Sequence, residues 1–156
     1  FKVSSSSSSF DLYGFKNLNS SGIVIFMFEA AIACPLTDAV AHPFVLMPKL
    51  FCLSNVEIAA FGQEVMRHID QKRLIHQLDL ASQREIGIEI SPKFITHNQM
   101  HLVEFYQLCL ERGVKLLIGS DAHDTEGLGK LSALEPILEE LGIGEEHLWH
   151  PKEWRW

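Results

Sequence analysis

Leu116-Leu117-Ile118 is a short apolar run that stops at Gly119-Ser120, and Asp121-Ala122-His123 follows at once. Apolar runs bounded by turn residues suit a strand buried on both faces, although such a run also admits a buried helix. At the end of a strand, a carboxylate and an imidazole two residues apart point the same way and can reach one metal ion. The same pair also caps helices and fills turns, so the spacing alone leaves both readings open.

Two similar runs lie upstream. Asp38 to His42 reads as a short buried strand closing on His42-Pro43, and the proline restricts His42 to extended backbone. Glu85 to Ile90 alternates and closes on Ser91-Pro92. Glu89, between Ile88 and Ile90, is a candidate for orienting a metal ligand rather than a ligand itself. Between the runs the pattern turns helical. Asn55 to Ser82 follows the 3.6 period through Val56, Ala59, Ala60, Leu74 and Leu78, with Ser54 or Asn55 as cap. Thr96 to Arg112 carries the stripe Leu102, Phe105, Tyr106, Cys109, and Gly113 stops it. Ser132 to Leu141 is a short last helix, and His147 to His150 a final strand or tail. Gly22 to Cys34 begins β-branched and ends Ala-rich, so it is strand or helix on propensity. It is too short to span a bilayer of about 20 residues. Strand alternating with helix is the βαβ pattern of a parallel α/β fold. Ligands at strand ends fit the C-terminal face of a (β/α) barrel.

The remaining histidines offer less. His68 and His76 are too far apart on a helix to share an ion and read as surface or half-buried residues. His97 and His101 stand four apart, but Asn98 replaces the glutamate of an H-E-x-x-H zinc site, so they read as a solvent-facing pair. Cys34, Cys52 and Cys109 have no C-x-x-C spacing and read as buried, which makes a reducing cytoplasm the expected location. The net charge of −7 argues against nucleic acid as partner, while leaving room for an anionic substrate beside metal ions. Phe1 to Ser21, with serine at residues 4 to 9, reads as a flexible arm without the marks of a secretory signal.

The stretches GSDAHDTEGLGKL, Asp38-Ala39-Val40-Ala41-His42-Pro43-Phe44 and Ile88-Glu89-Ile90-Ser91-Pro92 together resemble motifs of the polymerase and histidinol phosphatase (PHP) superfamily. They match its last metal-binding motif, its D-x-x-x-HP motif and its xEIN strand, with Ser91 in place of Asn. Order and approximate spacing agree from about residue 23 to 149. The family's opening H-x-H does not occur in these residues, so residues 22–156 resemble the C-terminal part of a PHP domain.

The resemblance implies a partial, distorted (β/α)7 TIM-like barrel, and it favours helix for Gly22 to Cys34. It implies hydrolysis of phosphate esters by two or three divalent ions, of zinc, manganese, magnesium or iron. The matching ligands here are His42, Asp121 and His123, and no side chain is expected to act as nucleophile. The expected substrate is a phosphorylated small molecule or nucleotide, with no membrane partner and a homo-oligomer left open. Two other readings stand beside it. One is a non-catalytic PHP-like fragment or polymerase-associated domain; the other is a metal-dependent amidohydrolase, whose barrel also uses strand-end His and Asp.

Overall fold

The first helix, α1 (Ser20–Ala33), is helical through its β-branched start as well as its Ala-rich end. This is a computed structural model, and it describes residues 20–46 and 54–151. Ile25, Phe28 and Ile32 are buried at helical spacing and give α1 its inner stripe. The Arg84 guanidinium donates to the carbonyls of Ile32 and Cys34. For Ile32 it supplies a donor to a carbonyl in the last turn, where a helix lacks its own partners. The expected arm over residues 1–21 lies outside the described residues, except that Ser20 and Ser21 open α1.

The single helix expected over 55–82 is two. In α2 (Asn55–Arg67), Ser54 and Glu57 form a reciprocal capping box. In α3 (Gln71–Gln83), the Asp70 carboxylate accepts from the backbone N–H groups of Lys72 and Arg73. That local hydrogen bonding starts a new helix, although no Gly or Pro marks the break.

Strands β1 (Ala39–Val40), β2 (Gly87–Ile90) and β3 (Leu116–Ile118) make a parallel sheet in chain order. Ala39 lies opposite Gly87, and Ile88, Glu89 and Ile90 lie opposite Leu116, Leu117 and Ile118. Leu148 adds a parallel bridge to Leu116. Ile88, Ile90 and Leu116 are fully buried in one cluster with Leu74, Leu78, Phe105 and Tyr106. By alternation, Glu89 and Leu117 face the other way. The architecture is therefore α/β with a small parallel sheet. Among the described residues the sheet is open and does not close a barrel.

After β2 the chain again differs from expectation. In place of one helix over 96–112 there are α4 (Lys93–Thr96) and α5 (Leu102–Glu111). Asn98 at φ 55 interrupts the helix. Gln99, fully buried, pairs its amide with both N and O of Leu46, at 2.9 and 2.6 Å. Gly113 at φ 73 ends α5, a turn that favours glycine. A 3-10 turn (Ser132–Leu134) leads into α6 (Glu135–Glu140), with Pro136 in its first turn. Over 147–150, His147 ends a 3-10 turn (Glu145–His147) and Leu148 makes the bridge to Leu116, with no strand. Cys109 is buried, but Cys34 is exposed, because it lies just past the end of α1. Cys52 is outside the described residues.

Candidate functional site

Parallel strands in chain order send their exits to one edge of the sheet. His42 leaves β1, Ser91-Pro92-Lys93 leaves β2, and Gly119 to His123 leaves β3.

The core fixes His42 through its neighbours. Pro43 and Phe44 are buried. The Phe44 ring lies 5.1 Å from that of Phe28 and 4.9 Å from that of Phe105. On the other side, the His42 backbone N–H donates to Glu89 Oε2 at 3.0 Å. The ring nitrogen Nδ1 meets the same oxygen at 2.7 Å, and Nε2 lies 3.3 Å from Asp121 Oδ1. The extended backbone expected of His42 is not found: its φ is 50°. A following proline acts chiefly against right-handed helical backbone, and the double contact with Glu89 holds the left-handed form. Phe44 (φ 63°) and Asp121 (φ 48°) are left-handed as well. Such residues each cost about 1–3 kcal/mol and persist where tertiary contacts over-determine them.

Glu89 is nearly buried, 7% exposed. Gly119 makes room for it, since a Cβ at that position would overlap Glu89 Oε1. The His42 ring thus stands between two carboxylates, with Nδ1 on Glu89 and Nε2 beside Asp121. A carboxylate behind a histidine is the arrangement that orients a metal ligand. A separation of 3.3 Å also suits two donors sharing one ion at about 2.0–2.2 Å each.

His123 stands apart from this pair. Its Nδ1 contacts the Asp121 carbonyl oxygen at 2.9 Å and lies 3.9 Å from Asp121 Oδ1, with the side chain 70% exposed. The structure thus brings His42, Glu89 and Asp121 together and leaves His123 at the rim. Among the described residues no three His, Cys, Asp or Glu side chains are grouped to hold a metal ion as they stand. Among the described residues, the two donors that face each other here are His42 Nε2 and Asp121 Oδ1.

Several residues near the strand ends carry no signal that the motifs reveal. Lys93 Nζ lies 3.8 Å from Asp121 Oδ2. Ser91 is buried with its Oγ unpartnered. His97 and His101 are not a solvent-facing helical pair, because no helix spans them; both are half-buried. His97 Nδ1 and His101 Nε2 are buried without hydrogen-bond partners. Burial lowers the pKa of His97, Lys93 lowers it further, and the Leu46 backbone and Asp121 pull the other way. Burial also lowers that of His101, against the pull of Glu104. His68 and His76 are exposed.

The chain matches no family model, and neither a curated protein nor a solved structure is significantly similar to it.

Proposed function

We propose that the strand-end cluster is a divalent-metal site of the PHP type, on a TIM-like α/β scaffold, built for phosphate ester hydrolysis. The observation that carries this reading is the apposition of His42 Nε2 and Asp121 Oδ1, with Glu89 bound behind the ring. His42 and Asp121 would hold the ion, and His123 is the nearest further donor. Glu89 would orient the His42 ring from behind, one of its oxygens meeting both Nδ1 and the backbone N–H. The chemistry a divalent ion supplies in such a setting is polarisation of a phosphoryl oxygen and acidification of water. The motif context favours phosphate esters over the amides of related barrels.

The test is metal affinity, measured by competition with a chromophoric chelator for Zn²⁺ and Mn²⁺. The chain should take up one ion weakly. Asp121→Asn should abolish uptake, and Glu89→Gln should weaken it about 10–100-fold, as loss of an orienting partner does. Equal affinity in all three proteins would exclude the site.

A further inference from the structure

Of the cations with ion-pair contacts, Lys93 is the one at the cluster. Arg73 closes on Glu29 at 2.6 and 2.8 Å, and Arg112 donates to Asp79 at 2.7 Å. Those pairs are tight and lie on helices. Lys93 Nζ stops 3.8 Å short of Asp121 Oδ2. A charge-assisted hydrogen bond would bring it to about 2.7–2.9 Å. The ammonium donors are therefore not taken by the carboxylate beside them. The side chain is 30% exposed, and the backbone beneath it is anchored by Pro92 and by Phe94, which is fully buried. Asp121 separates its two neighbours: Oδ1 faces His42, and Oδ2 faces Lys93.

The charges lead to a substrate class. The Glu89 and Asp121 carboxylates and the His42 ring between them stand beside one ammonium, that of Lys93. A divalent cation held there would add positive charge, which favours an anion. Lys93 is the partly exposed cation beside it.

We propose that Lys93 is the anion-binding residue of this site, its ammonium group taking a terminal phosphoryl oxygen and so selecting phosphomonoesters over diesters. A diester lacks the second charged terminal oxygen that such a contact rewards. The proposal rests on the metal-site reading for its substrate, but its experiment has a separate readout.

Inorganic phosphate is the probe, titrated calorimetrically into the whole chain with Mn²⁺ and again without metal. The comparison is with Lys93→Met and Lys93→Arg, and dimethyl phosphate serves as the diester control. Loss of a charged hydrogen bond should weaken phosphate binding about tenfold or more in Lys93→Met. Lys93→Arg should restore it, and dimethyl phosphate should bind weakly to every protein. Mn²⁺ affinity should stay level or rise in Lys93→Met, because a positive charge has left the neighbourhood of Asp121. A lysine that merely balances Asp121 would give that rise with phosphate unchanged, and this result overturns the proposal. So does the absence of measurable phosphate binding by the parent chain under both conditions. If the parent takes up no Mn²⁺ yet binds phosphate through Lys93, the metal reading fails and the anion site stands.

Discussion

Tyr106 takes its hydroxyl into the core, where it has no hydrogen-bond partner, and burial pushes its pKa far up. An unmet buried hydroxyl costs about 1–3 kcal/mol. Tyr106→Phe, which keeps the ring against Phe94 and Phe105, should gain about 1 kcal/mol in urea unfolding. Gly119 is the opposite case. An added methyl there meets Glu89, so Gly119→Ala should cost about 1–3 kcal/mol through overpacking. It should also loosen His42, read as a shift of its ring proton resonances. At this scale the sequence was legible where chemistry and strand ends coincide. That His42 and Asp121 meet beside Glu89 of β2 followed from their places just after parallel strands. That His123 lies at the rim did not, because it depends on the Asp121 backbone at φ 48°. Gln99 was invisible for a similar reason: its partner, Leu46, is 53 residues away.

Helices were readable by their periods and misread at their joints. The break between α2 and α3 depends on Asp70 binding the next two N–H groups, a choice that periodicity cannot register. The break between α4 and α5 depends on Asn98 and Gln99, and it buries His97 and His101 in part. These two histidines have a consequence for pH. Their folded pKa values lie below the ordinary 6.5, so below 6.5 the unfolded chain binds more protons than the folded one. Stability is then full above 6.5 and declines as pH falls from there toward the folded pKa values. Urea midpoints followed through that window should fall with pH. His101→Leu, which removes the ring facing Gly62 and leaves Glu104 nearby, should flatten the slope. A slope unchanged by the substitution would assign the effect elsewhere.

At the scale of the molecule, the described residues form an open sheet, and the outer face of α1 is apolar, with Ile23, Phe26 and Met27 each more than half exposed. The fold class was legible from alternating runs and helical stretches. The expected barrel has no counterpart among the described residues, where three strands pair in an open sheet. Activity belongs to this scale too. In-line phosphoryl transfer is best served by two ions about 3.5–4 Å apart, and among the described residues no three donor side chains are grouped to hold even one. Hydrolysis of an aryl phosphate with added Mn²⁺ or Zn²⁺ should therefore stay near background. Robust turnover that Asp121→Ala removes would show the donor set to be sufficient.

The end of the described chain folds back on the sheet. Trp149 covers Gly87, where a Cβ would lie 2.6 Å from the ring, and its indole N–H donates to the Glu85 carbonyl at 2.9 Å. This gives the protein an optical reporter. An indole held against a peptide backbone emits differently from one in water, and emission would follow the docking of residues 148–149 on β3 and of the Trp149 ring on β2. With Trp154 and Trp156 replaced by phenylalanine, a single tryptophan remains to be excited selectively. Peeling of the tail and melting of the helical core then become separately visible, one by fluorescence and the other by circular dichroism.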